Sequence, residues 1–131
     1  MKKIYKSDIE WQKLLSEEEF LVTRKKATER AFLKGPLDEK KIGIFKCKCC
    51  ELELFSSSTK FDSGSGWPSF YDKITFDAIF ELDDNSYGMK RIEVLCNRCD
   101  SHLGHLFDDG PEPTGKRYCI NSLSLKFKES E

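Results

Sequence analysis

Arg117-Tyr118-Cys119-Ile120-Asn121-Ser122-Leu123-Ser124-Leu125-Lys126-Phe127 carries the clearest strand signal in the chain. Leu123, Leu125 and Phe127 alternate with Ser124 and Lys126, the two-residue period of a strand with one buried face. Carried backward, the parity puts Asn121, Cys119 and Arg117 in one row on the inner side, provided that no bulge interrupts the strand. Outward from this stretch, Ile42, Ile44 and Phe45, then Leu52, Leu54 and Phe55, then the segment 91–95 read as further short strands between turns. Asn85-Ser86-Tyr87-Gly88 fits a hairpin turn, and the Ser/Gly-rich segment 56–66 forms a loop leading into Trp67-Pro68-Ser69-Phe70. The pattern predicts a mainly β protein.

Residues 1–36 read as the helical part of a single domain spanning 1–131, with the β core in 37–131. Ser7-Asp8-Ile9-Glu10 fits a capping box, after which Trp11, Leu14 and Leu15 lie on one helical face. Ser16-Glu17-Glu18-Glu19 repeats the signal ahead of Phe20, Leu21 and Val22. Arg24-Lys25-Lys26 suits the C-terminal end of this second helix, and Gly35-Pro36 closes the helical pattern. These helices are expected only to cover a core.

A chain of 131 residues can bury a modest core. Its 22 basic and 23 acidic residues leave a net charge of -1, which argues against a general attraction to nucleic acid or to an anionic membrane. No apolar run is long enough for a signal peptide or a membrane span, so the expected compartment is the cytoplasm. Six cysteines in a reducing compartment read as metal ligands or redox thiols sooner than as disulfides.

Cys47-Lys48-Cys49-Cys50 and Cys96-Asn97-Arg98-Cys99 each contain a Cys-x-x-Cys. Two such pairs suit tetrahedral zinc, because a two-residue gap lets a tight turn present both sulfurs to one ion. Cys47, Cys50, Cys96 and Cys99 are therefore the expected ligands; Cys49 competes with Cys50, and the symmetry with the second pair favours Cys50. Four thiolates fill the coordination sphere, so the zinc is structural, closes a large loop, and leaves the histidines for other work. Cys119 belongs to no pair. It lies two residues from Arg117 and follows His102 and His105, the only histidines of the chain. A thiol needs a neighbouring cation or proton donor to act as a nucleophile near neutral pH, and this stretch supplies both.

Three strings closely resemble the B-type methionine sulfoxide reductases: Phe61-Asp62-Ser63-Gly64-Ser65-Gly66-Trp67-Pro68-Ser69-Phe70, His102-Leu103-Gly104-His105 through Phe107-Asp108-Asp109-Gly110, and Arg117-Tyr118-Cys119-Ile120-Asn121-Ser122. The likeness covers nearly the whole chain, and the double Cys-x-x-Cys also occurs in the zinc-containing branch of that family. It implies two small antiparallel sheets with short N-terminal helices, and reduction of the R epimer of methionine sulfoxide, mainly in oxidised proteins or peptides. It also implies roles. Cys119 attacks the sulfoxide sulfur as thiolate. His105 protonates the oxygen or positions a water that does, assisted by Asp109 and Arg117. His102, Phe107 and Asn121 line the site, and Trp67 receives the substrate's methyl group. The sulfenic acid left on Cys119 is then reduced by thioredoxin or another thiol. Many members carry a second, resolving cysteine where this chain has Ser65, and Cys49 is the only spare thiol that could take its place.

The alternative from another class is a non-catalytic zinc-binding β module for protein interaction. Such a module has no use for a thiol set beside Arg117 and His105. Hydrolysis at zinc through the histidines is a third reading, but it needs a coordination position that four thiolates do not leave open.

Overall fold

Both capping boxes form in the computed structural model, which describes residues 1–30 and 41–130. Ser7 and Glu10 exchange hydrogen bonds of 3.2 and 2.9 Å at the start of α1 (Asp8–Leu14), and Ser16 and Glu19 do the same at 3.1 and 2.9 Å for α2 (Glu17–Lys25). Each cap stabilises its helix by about 1 kcal/mol. Trp11 is buried, but Leu14 faces solvent at 63% exposure, so the expected three-residue face narrows. The reason is length: α1 has seven residues, and the chain is extended again at Leu15. The left-handed Lys26 (φ 62) stops α2, so residues 26–30 are not helical. The expected stop at Gly35-Pro36 lies outside the described residues.

Two antiparallel sheets follow. The smaller has the order β2-β1-β9, from β1 (Gly43–Cys47), β2 (Glu53–Ser56) and β9 (Leu125–Glu129). The larger has the order β3-β4-β8-β7-β6-β5, from β3 (Lys60–Phe61), β4 (Ser69–Phe70), β5 (Ile79–Asp84), β6 (Arg91–Cys96), β7 (His102–Phe107) and β8 (Arg117–Ile120). The hairpin expected at 85–88 joins β5 to β6.

The stretch expected as one strand over 117–127 is in fact two. β8 ends at Ile120, a 3-10 turn occupies Ser122–Ser124, and β9 starts at Leu125 in the other sheet. The turn breaks the period, so the backward parity fails in one respect. Tyr118 and Ile120 fill the core at 0% exposure, while Arg117 and Cys119 occupy the opposite, half-buried face. They still share a row, as expected, but it is the row of a cleft.

Aromatic rings hold the sheets together and so fix that face. Phe55 of the small sheet stacks on Phe70 of the large one at 4.4 Å, Phe45 meets Phe70 edge-on at 5.1 Å, and Phe55 lies 5.7 Å from Tyr118. Such pairs add roughly 1 kcal/mol each to the burial of their surface. With Tyr118 locked into this cluster, pleating sends Cys119 to the other side.

Candidate active site

Cys119 lies in the middle of the large sheet, directly opposite His105 on β7 and Ser69 on β4. Opposed residues of an antiparallel pair point to one face, with Cβ atoms about 5 Å apart. His102 should point the other way, three residues from His105. A bulge prevents this: Val94 pairs with Gly104 but its neighbour Leu95 pairs with His102, so β7 carries one extra residue at Leu103. The bulge turns His102 onto the same face, with the two imidazole centroids 5.6 Å apart. Both rings and Cys119 line a cavity of about 120 Å³, walled also by Trp67, Phe107 and Asn121.

Each histidine is held by a carboxylate that the sequence did not single out. His105 Nε2 lies 2.8 Å from Asp84 Oδ2, and because a carboxylate only accepts, the Nε2 proton is fixed there. Hydrogen bonds from Ser86 and His105 hold Asp84 well below the usual carboxylate range. Arg91, 3.5 Å from the same carboxylate, also lines the cavity. His102 Nδ1 is 2.7 Å from the buried Glu93, whose other oxygen meets Lys26 at 2.9 Å. Burial pushes His102 below its ordinary value, against the pull of Glu93.

Arg117 lies over Phe107, 4.3 Å from the ring centre, and donates to Asp109 through Nε and an η nitrogen at 2.8 and 3.2 Å. The guanidinium holds Asp109 below its usual range. Asp109 does not join the Cys119 cavity. It is 61% exposed and borders a separate concavity with Ser63, Ser65 and Arg117. Of the expected catalytic set, it is the member that reaches the thiol only through Arg117. Burial raises the Cys119 thiol above its ordinary value, opposed by the Arg117 charge and by hydrogen bonds from Ser65 and Arg117.

The remaining walls depend on the N-terminal stretch, expected only to cover the core. Trp67 donates its indole N–H to the Glu29 carbonyl at 3.1 Å, and Asn121 accepts from the Glu29 N–H at 3.3 Å while donating to Leu103 O at 3.2 Å. Thr28 lines the cavity itself.

At the ends of β1 and β6, the sulfurs of Cys47, Cys50, Cys96 and Cys99 lie within 4.8 Å of one another. Cys47 and Cys99 are 3.6 Å apart, as are Cys50 and Cys96. Zinc–sulfur bonds of about 2.3 Å in a tetrahedron require edges near ~3.8 Å, so the four thiols fit that ion. Cys49 stands beside the group, against Thr23 and Arg24, but outside it. Arg24 donates to the Cys99 carbonyl at 2.8 Å and approaches its sulfur at 3.6 Å, tying α2 to the knuckle.

Residues 15–129 match the SelR domain. The chain belongs to this family, the B-type methionine sulfoxide reductases. A relative named peptide methionine sulfoxide reductase MsrB from Methanosarcina mazei is 57% identical over 129 residues, covering 98% of this chain and 92% of that protein. The MsrB of Acinetobacter baylyi is 54% identical over 131 residues, 100% of this chain and 94% of its own. Peptide methionine sulfoxide reductase B1, chloroplastic, of Oryza sativa is 54% identical over 125 residues, or 95% of this chain and 58% of its own length. Membership in this oxidoreductase family leaves the binding-module reading without an observation in its favour.

In this B-type reductase the sequence reading missed Asp84, Glu93, Arg91, Glu29 and Gly104. Only Gly104 left a usable trace. A Cβ there would meet the Cys119 carbonyl at 2.0 Å, so the glycine in His-x-Gly-His lets β8 approach β7 closely enough to pair. Glu93 sits 9 positions from His102, Asp84 21 from His105 and Glu29 93 from Ser122, separations that no local pattern encodes.

Proposed function

We propose that this protein reduces the R epimer of methionine sulfoxide, mainly in oxidised proteins and peptides, with Cys119 as the nucleophile. The observation that carries this reading is the convergence of the thiol, His105 with its partner Asp84, and Trp67 on one small cavity. A sulfoxide is a poor electrophile until its oxygen is protonated, so a proton donor must act together with the thiolate. His105, with its Nε2 proton held by Asp84, takes up and delivers a proton through its other ring nitrogen, directly or by way of a water. Arg117 favours the thiolate and is oriented by Asp109. Trp67 and Phe107 receive the methyl and methylene groups that offer no hydrogen bond, while His102 and Asn121 shape the polar side.

The thiol is oxidised by two electrons and the sulfoxide is reduced by two; oxygen leaves the substrate sulfur, and Cys119 becomes a sulfenic acid. A thiol reductant then forms a mixed disulfide with Cys119 and releases water, and a second thiol completes the reduction. With Ser65 at the resolving position, thioredoxin or a small thiol attacks Cys119 directly. Cys49 sits beside the four clustered cysteines, next to Thr23 and Arg24, and is not the thiol that takes over this step. Zinc held by Cys47, Cys50, Cys96 and Cys99 stabilises the fold and takes no part in the reaction. Among the described residues no helix is long and apolar enough to cross a membrane. Cysteines used as four metal ligands and one reactive thiol suit the reducing cytoplasm as the working compartment.

The test is turnover of the separated R and S epimers of a dabsylated methionine sulfoxide with dithiothreitol, wild type against Cys119→Ser. Turnover of the R epimer alone, abolished in Cys119→Ser, is the expected result. A folded, zinc-loaded protein that turns over neither epimer would remove the reductase reading.

A further inference from the structure

Glu29 is a carboxylate at 5% exposure, outside every helix and strand, in a stretch whose sequence signals only helix caps and apolar faces. Burying a carboxylate costs several kcal/mol unless its lone pairs are satisfied. Here they are. Ser122 donates to Oε2 through its backbone N–H at 2.8 Å and its hydroxyl at 2.6 Å, and the Leu123 N–H donates to Oε1 at 2.7 Å. These donors belong to the 3-10 turn that carries the chain from β8, the strand of Cys119, into β9 of the other sheet.

The backbone of the same residue faces the cavity. Its carbonyl accepts the Trp67 indole N–H at 3.1 Å, and its N–H donates to the Asn121 carboxamide at 3.3 Å. One residue thus bonds the turn after the nucleophile strand with its side chain and two cavity walls with its main chain. The neighbouring Thr28 completes the wall.

We propose that Glu29 is a positioning residue for substrate recognition: its carboxylate docks the segment 27–30 onto the turn at Ser122–Ser124, and the docked main chain aims Trp67 and Asn121 into the cavity. The inference rests on the reading of Trp67 as the wall that receives the methyl group. Glu29 has no hydrogen bond to Cys119, His105 or Asp84. Burial is the main influence that raises the Cys119 thiol, and the charge of Glu29 is the last and smallest. Loss of Glu29 therefore acts chiefly on binding, and what reaches the chemical step favours the thiolate. Glu29→Gln keeps the volume but replaces one acceptor by a donor, which then opposes an N–H of the turn.

The experiment is steady-state kinetics on the R epimer with zinc-loaded wild type, Glu29→Gln, Trp67→Phe and the double variant, together with acrylamide quenching of tryptophan fluorescence. Glu29→Gln should raise KM by about tenfold and change kcat by less than about threefold. The two tryptophans are Trp11, on the buried face of α1, and Trp67, so a larger quenchable fraction in Glu29→Gln reports a loosened Trp67. In the Trp67→Phe background, which lacks the N–H, the KM effect of Glu29→Gln should shrink. An unchanged KM, or a lower melting temperature with KM and quenching unmoved, would overturn the proposal while leaving the reductase assignment intact. Failure of the wild type to turn over the R epimer would instead remove that assignment. If Glu29→Gln does not fold, Ser122→Ala removes one donor and leaves the carboxylate. A smaller rise in KM in the same direction then supports the proposal, and none contradicts it.

Discussion

Cysteine has opposite surroundings in two regions of this molecule. At the ends of β1 and β6, four sulfurs face one another within 4.8 Å, each with another sulfur 3.6 Å away, and Arg24 reaches only the edge of the group at Cys99. In the middle of β8, Cys119 has the Arg117 guanidinium and Ser65 as its nearby polar groups and an imidazole across the strand. The first environment suits a cation that consumes all four thiolates, and it leaves nothing to react. The second leaves one thiol with an open cavity in front of it and charged groups to tune it. On the proposed function, what separates the two is the neighbours and the strand face, since the residue type is the same.

Disrupting the knuckle should have the largest effect. Cys96→Ser leaves three sulfurs and a buried hydroxyl at the junction of β6 with the segment leading to β7. Structural zinc sites contribute on the order of 10 kcal/mol of apparent binding energy, comparable to the whole stability of a small domain. The variant should bind no stoichiometric zinc and lose its cooperative thermal transition. A folded Cys96→Ser protein with normal melting would break the contrast between the two regions.

Asp84→Asn leaves the knuckle and Cys119 untouched and removes the carboxylate that orders His105. It should lower kcat by about tenfold to a hundredfold, with the zinc content unchanged, and Asp84→Glu should recover part of the loss. Equal activity in Asp84→Asn would show that His105 acts without it.

Arg117→Gln sharpens the contrast at the thiol itself. Burial already holds Cys119 above its ordinary value, and Arg117 pulls it down. Removing the cation should therefore raise it further, so that iodoacetamide alkylation at pH 7 slows by about threefold to tenfold and its midpoint moves to higher pH. A midpoint that stays or falls would contradict this.

The smallest effect concerns stability. His102 lies below its ordinary value in the fold, so the unfolded chain binds its proton more readily. Its contribution is fully present above about pH 6.5 and is lost as pH falls through that value toward the folded one. The urea midpoint should decline from pH 7 to 5.5 in the wild type and decline less in His102→Gln.

The sequence made the chemistry-bearing residues easy to find and their geometry hard to find. Capping boxes and Cys-x-x-Cys turns are local patterns, and each forms as its residues dictate. The face of Cys119 could not be read locally, because a 3-10 turn between β8 and β9 resets the period from which it was extrapolated. Nor could the shared face of His102 and His105, which depends on one extra residue in β7. Leu14 was misplaced because α1 is too short to bury a full stripe. Asp84, Glu93 and Glu29 lay beyond reach for another reason: their partners are remote, and an acidic residue at the surface reads the same in sequence as one buried against a histidine.

The most direct test of the contrast is a single turnover without reductant. Zinc-loaded protein is mixed with methionine-R-sulfoxide and dimedone, and the products are read by peptide mass spectrometry alongside zinc content. One methionine formed per chain, a dimedone adduct on Cys119 alone and full retention of zinc are the results predicted. An adduct on Cys47, Cys50, Cys96 or Cys99, or zinc released in step with methionine, would contradict the account.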